Sequence, residues 1–327
     1  MVRDKNALEK IKTCDLGIAI KCNYKCKMCY FWKSKQSDHA LMDIQNWKDF
    51  IDQLDEVFDE KPQLIFSGPG EVLLREGIED LLQYTAGRFR VFVNSNGAKI
   101  DDSMAKLLGQ TADEVFLSLD GVRAQTHDSI RGVSGAYEAV VNAAGRLRKE
   151  SKDMIIMINT VIMQENLDEL TKLVKWVDAE NLDGVIFHAV SMPFDISYDR
   201  DWYKHEYSHL WPSDPKKVDL VLEELIQLKS QGSRIVTSIK QLNCFKSYFM
   251  NPEEKIEGLH CEVDSVLKID SDGDVRICNF SNPVGNVKEH PLLDLLVSPE
   301  ASNERRKAYE CNSSCHLLVN SFKEEVM

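Results

Sequence analysis

The chain has 327 residues, 43% hydrophobic and 28% charged, a composition that supports a packed core and excludes disorder, collagen and coiled coil as descriptions of the whole. Forty Lys and Arg against 53 Asp and Glu leave a net charge of −13, which repels phosphate backbones, so nucleic acid is not an expected partner. The longest apolar runs, such as Met154 to Ile158, are about five residues against the roughly 18 to 20 that cross a bilayer, so no membrane span is expected. The amino terminus, Met1-Val2-Arg3-Asp4-Lys5-Asn6, carries no apolar export segment, and the cytoplasm is the expected compartment. In a reducing compartment the nine cysteines read as metal ligands or reactive thiols rather than disulfides.

In chain order, strands are expected at Leu16 to Ile20, Gln63 to Phe66, Phe89 to Val93, Glu114 to Leu119, Met154 to Ile162 and Gly184 to Val190. Helical periodicity places helices at Ile44 to Phe58, Gly77 to Gly87, Asp102 to Leu108, Ala136 to Glu150, Asn166 to Ala179 and Pro215 to Ser230. Strands alternating with helices need right-handed parallel crossovers, which makes the fold α/β, and six units favour a partial barrel over the full eight. Residues 195 to 215 break the pattern with Tyr198, Trp202, Tyr203, Tyr207 and Trp211, and read as a long loop that covers the substrate. Near residue 240 the alternation stops. Val266 to Ile269 and Val275 to Cys278 then flank Asp270-Ser271-Asp272-Gly273-Asp274, a hairpin signal. The expected division is a barrel over 1–239 and a small second domain over 240–327.

Directly after the first strand, Cys22, Cys26 and Cys29 form C-x3-C-x2-C at the strand edge where parallel α/β folds build sites. Three thiolates on one tight loop can face one soft metal centre and leave one coordination place open. A structural zinc site would close its tetrahedron with a fourth local ligand.

This pattern resembles the radical S-adenosylmethionine (radical SAM) superfamily, whose hallmark is that spacing on the loop after the first strand of a partial (βα)6 barrel. The resemblance implies a 4Fe-4S cluster on Cys22, Cys26 and Cys29, with the fourth iron left for the amino and carboxylate groups of SAM and Met28 against the adenine. Ser67-Gly68-Pro69-Gly70-Glu71 is similar to the family's glycine-glycine-glutamate motif, so Gly70 and Glu71 would receive the SAM ammonium, with Pro69 where Gly is commoner. By the same resemblance Asn94, Ser95 and Asn96 after the third strand, and Ser118 and Asp120 after the fourth, serve SAM, and Arg131 pairs with its carboxylate.

Cys261, Cys278, Cys311 and Cys315 are a second set, with Cys261-x11-Gly273-x4-Cys278 and Cys311-x3-Cys315. They resemble the auxiliary-cluster extensions of radical SAM enzymes, SPASM and its truncated form twitch. The resemblance implies one auxiliary 4Fe-4S cluster on these four; zinc on the same sulfurs is the alternative. Cys14 and Cys244 read as core filler, although Cys244, between barrel and extension, could give a hydrogen atom to a substrate radical. His188 and Asp195, at or beyond the sixth strand, are candidate bases.

The implied activity is reductive cleavage of SAM to a 5′-deoxyadenosyl radical that abstracts a hydrogen atom from substrate. With the auxiliary cluster taking up an electron, the expected outcome is a two-electron oxidation of a small polar or sugar-like metabolite, with flavodoxin or ferredoxin as electron donor. The alternatives are maturation of a ribosomal peptide, epimerisation with Cys244 as hydrogen donor, and, outside the enzymes, a zinc-stabilised binding protein.

Overall fold

The computed structural model describes residues 8–29, 31–33, 41–192, 201–252, 256, 260–261, 265–311 and 322–323. Six parallel strands form the barrel wall: β1 (Thr13–Gly17), β2 (Gln63–Ser67), β3 (Val91–Ser95), β4 (Glu114–Ser118), β5 (Ile155–Ile162) and β6 (Gly184–Ala189). They pair in sequence order, and the barrel is not closed. Along β1, β2, β4 and β5, fully buried residues alternate with partly buried ones. The buried set, including Leu16, Phe66, Leu117 and Ile158, packs into the hydrophobic core. Polar residues such as Asp15, Ser67 and Asn159 occupy the other positions and line the barrel interior.

Helices return the chain between strands: α1 (Ile44–Val57), α2 (Ile78–Thr85), α3 (Asp102–Thr111), α4 (Ala124–Arg131), α5 (Ala136–Glu150), α6 (Leu170–Ala179) and α7 (Pro215–Ser230). Their starts follow local chemistry. Asp43 and Asn46 make a reciprocal capping box on α1, Asp101 caps α3, and Asp214 caps α7 ahead of Pro215. The helix α4 escapes sequence periodicity because its eight residues, Ala-Gln-Thr-His-Asp-Ser-Ile-Arg, are mostly polar; it is held by buried Thr126, His127 and Ile130.

The described part of the segment after β6 is packed, not open. Trp202 and Tyr207 are buried, and Trp211 meets Tyr203, Tyr248 and Phe249 at ring-centroid distances of 4.8, 5.2 and 5.1 Å. Tyr248 and Phe249 come from α8 (Ile239–Met250), so these aromatics seat the segment on that helix. Tyr198 and Asp195 lie outside the described residues.

The two-residue strand β7 (His260–Cys261) is followed by the expected hairpin, β8 (Val266–Ile269) with β9 (Asp274–Arg276), turning through Gly273 at φ 97°. Its strands do not form a sheet of their own. β8 pairs parallel to β1, Thr13 opposite Val266 and Asp15 opposite Lys268, so the hairpin and β10 (Gly285–Asn286) extend the barrel sheet to nine strands. The otherwise bare edge of β1 is thereby covered. Two further helices, α9 (Leu292–Leu296) and α10 (Pro299–Tyr309), precede Cys311, and β11 (Phe322–Lys323) pairs with β7.

Candidate active site in the barrel

The cysteine loop leaves β1 and is held on both sides by backbone. Gly70 N–H donates to Ala19 O at 2.7 Å and Glu71 N–H to Lys21 O at 2.8 Å, while Lys25 and Lys27 N–H donate to Arg131 O and Ile130 O at 3.1 and 2.8 Å. Glycine makes both approaches possible. A Cβ on Gly70 would stand 2.4 Å from Lys21 O, and one on Gly132, at φ +70°, 2.3 Å from Lys25 O. Within the loop Tyr24 N–H reaches Cys22 Sγ at 3.4 Å, and Cys26 O accepts from Cys29 N–H and Trp32 Nε1–H.

The polar strand ends converge on this loop. The buried Glu71 carboxylate accepts from Ser95 Oγ, Asn96 N and Leu73 N at 2.8, 2.8 and 3.2 Å, and Asn96 Nδ2 donates to Asn23 Oδ1 beside Cys22. Burial raises the pKa of Glu71 and these donors oppose the rise. Asp120, beyond Ser118 at the end of β4, is fully buried and accepts from Arg131 Nε at 2.7 Å and Val161 N at 3.1 Å. Arg131 Nη1 lies 3.9 Å from Cys26 Sγ. Both carboxylates are thus engaged by protein donors. Met28 is half-buried against the core.

Inside the barrel lies a cavity of about 750 Å³, within the range of small-molecule sites. Asp15, Ser67, Asn94, Asn159 and His188 face it from the barrel strands, and Lys268, Asp270, Arg276 and Asn279 from the hairpin. Burial pushes the His188 imidazole down to about 4, so it is neutral at pH 7. Asp15, Asn159, Lys268 and Arg276 were not singled out by sequence reasoning. The available signal was a polar residue at an inward position of an apolar strand, as in Thr-Cys-Asp-Leu-Gly and Val-Leu-Lys-Ile.

Among the other thiols, Cys14 is fully buried on β1, as core filler should be, and Cys244 is buried on α8 outside the set that lines the cavity. Cys261 lies on β7, Cys278 just after β9 and Cys311 after α10; burial raises the Cys278 thiol, and Cys311 beside it adds to the rise. Cys315 lies outside the described residues.

Residues 18–177 match the family model described as Radical SAM superfamily, and residues 261–316 match SPASM, an iron-sulfur cluster-binding domain. The chain belongs to the radical SAM superfamily. This radical SAM protein is 28% identical over 322 residues to the AdoMet-dependent heme synthase of Methanosarcina barkeri, covering 90% of this chain and 85% of that one. It is 31% identical over 153 residues to the mycofactocin maturase MftC of Mycolicibacterium smegmatis, covering 46% of this chain but 37% of the relative. The crystal structure of Streptococcus suis SuiB bound to S-adenosylmethionine shares the fold, with a TM-score of 0.69 at 17% identity over 95% of this chain and 72% of that one.

The radical SAM cofactors are SAM, a 4Fe-4S cluster and auxiliary iron-sulfur, and the cysteine loop fits its cluster. Desolvation within the loop, with Cys26 and Cys29 adding to it, pushes the Cys22 thiol up to about 11, so thiolates here need a compensating cation such as iron. Cys22, Cys26 and Cys29 lie near enough to perturb one another, and three thiols on one loop are a donor set that suits an iron-sulfur cluster. Among the described residues no helix is long and apolar enough to cross a membrane.

Proposed function

We propose that the protein carries out a two-electron oxidation of a small polar substrate held in the barrel cavity. When bound, SAM and the two clusters supply a 5′-deoxyadenosyl radical for hydrogen-atom abstraction and an acceptor for the electron left on the substrate. Cys22, Cys26 and Cys29 hold the first cluster in this reading, and Cys261, Cys278, Cys311 and Cys315 the auxiliary one. Gly70, Glu71, Asn94, Ser95, Asn96, Ser118, Asp120 and Arg131 shape the SAM side of the site, with Met28 as apolar packing. His188, neutral and facing the cavity, accepts the proton that the oxidised carbon centre must lose.

The observation that carries this reading is the cavity wall. Barrel strands leading to the first cysteine loop form one side, and the hairpin leading to Cys278 forms the other, so one substrate would touch both. Cys244 is not among the residues that line this cavity, so the epimerase alternative, which needs it as hydrogen donor, is the less supported reading. The test is anaerobic turnover of reconstituted protein with SAM and reduced flavodoxin or ferredoxin. A product two hydrogens lighter than its substrate is expected; an isomer carrying solvent deuterium on carbon would refute oxidation.

A second reading, action on a tetrapyrrole or a peptide, is favoured by the relatives named heme synthase and mycofactocin maturase, the first matched over 90% of this chain. Turnover of a porphyrin or peptide without turnover of small polar compounds would select it.

A further inference from the structure

We propose that Lys268 and Arg276 form an anchoring site for a carboxylate group of the substrate. The inference rests on the oxidative reading above, in that the substrate occupies the barrel cavity. It starts from strand register. Lys268 on β8 and Arg276 on β9 are directly opposite each other in the antiparallel pair, and both line the cavity. Like charges at that position repel, so the pairing is a local cost in the sheet rather than a contribution to its stability.

Each cation is oriented by one acid but not used up by it. Lys268 Nζ stands 3.3 Å from Asp15 Oδ2, the residue opposite it on β1, which leaves further ammonium hydrogens. Arg276 Nε pairs with Asp270 and Nη1 donates to Ser281 O at 2.5 Å, while no protein acceptor is found for Nη2 among the described residues. The acids are less available, because Asp15 also accepts from Ser67 Oγ. Spare donors therefore stand side by side on the wall, and two adjacent donors match the two oxygens of a carboxylate.

The charge count selects the anion. Asp15 and Asp270 already offset Lys268 and Arg276, and Asp272 and Asp274 add negative charge beside Asp270, so a dianionic phosphate would face an excess of carboxylates, whereas a planar monoanion needs only the spare donors. Arg276 precedes Cys278 by two residues, so a substrate anchored here lies beside the strand that leads to the auxiliary site.

Benzoate, benzamide and phenyl phosphate serve as probes, and their dissociation constants are measured by calorimetry on the anaerobic holoenzyme with SAM. Benzoate is expected to bind at least tenfold more tightly than its neutral isostere benzamide and more tightly than phenyl phosphate. Lys268→Met and Arg276→Met should each remove most of the preference over benzamide. Should a single variant fail to fold with its acid unpaired, Lys268→Met with Asp15→Asn and Arg276→Met with Asp270→Asn remove both partners and decide the point. Equal binding of benzoate and benzamide, tighter binding of phenyl phosphate, or an unchanged preference in folded variants overturns the proposal. Formation of 5′-deoxyadenosine by the wild-type enzyme is scored separately. Its absence refutes the radical reading, whereas its presence without benzoate preference refutes only the anchor.

Discussion

Arg131 Nε donates to the buried Asp120 carboxylate at 2.7 Å, and the pair holds a cation 3.9 Å from the sulfur of Cys26. The side chains are only 11% and 0% exposed, so neither charge has water to fall back on. Asp120→Ala leaves Arg131 without its counter-charge and Val161 N–H without its acceptor. The expected loss is about 3–5 kcal/mol, the range for breaking a buried pair. Asp120→Asn, which keeps an acceptor, should lose less. Thermal unfolding of the anaerobic holoenzymes measures the difference.

Replacing Cys22, Cys26 and Cys29 together by Ala removes every ligand proposed above for the first cluster. Reductive cleavage of SAM should disappear, and iron should fall to about four per chain with sulfide retained in the auxiliary site. Iron, sulfide and 5′-deoxyadenosine assays read both outcomes. A folded triple variant without iron would count against the auxiliary cluster.

Gly70→Ala and Gly132→Ala drive a methyl into the backbone of the cysteine loop, at Lys21 O and Lys25 O. Neither carbonyl is a flexible side-chain end, so the loop itself must move. Overpacking of this kind costs about 1–3 kcal/mol. Each variant should therefore incorporate less iron at the first cluster and cleave SAM more slowly, whereas Gly145→Ala, where a Cβ meets nothing within 4 Å, should match wild type.

His127 supplies a pH dependence of known sign. Burial, with Arg131 adding to it, holds its imidazole at about 4 against 6.5 when free, and its Nδ1 accepts from Asp120 N–H at 3.1 Å. As pH falls below 6.5 the unfolded chain binds a proton that the folded chain refuses until about 4, so stability declines through that window. At pH 5.5 the share of this one residue is about 1 kcal/mol. His127→Asn keeps an acceptor near Nδ1 but cannot be protonated. Its thermal midpoint should drop less than that of wild type between pH 7.5 and 5.5.

Local spacing made the chemistry legible. C-x3-C-x2-C after a strand is a short-range pattern, and the three thiols share a loop because eight residues cannot separate them far. The alternation of strands and helices was equally readable, since burial on one face leaves a period in the sequence. Elsewhere the sequence misled. The first strand is Thr13–Gly17 rather than Leu16 to Ile20, because Asp15 faces the cavity and interrupts the apolar signal, while Ile18 to Lys21 supply backbone groups to β2 and its loop. The helix α4 was missed because its burial rests on Thr126 and His127 as well as Ile130.

By itself, then, the sequence determined the three-cysteine loop after the first strand, the alternation of parallel strands with helices and the hairpin turn at Gly273, each of which depends on residues close together in the chain. Tertiary structure alone decided that the hairpin joins β1 and so brings Lys268 opposite Asp15, 253 residues away, and into one cavity with His188. Pairing across such a distance is set by which sheet edge is left bare and which faces must be buried, and neither is written in the spacing of any one segment.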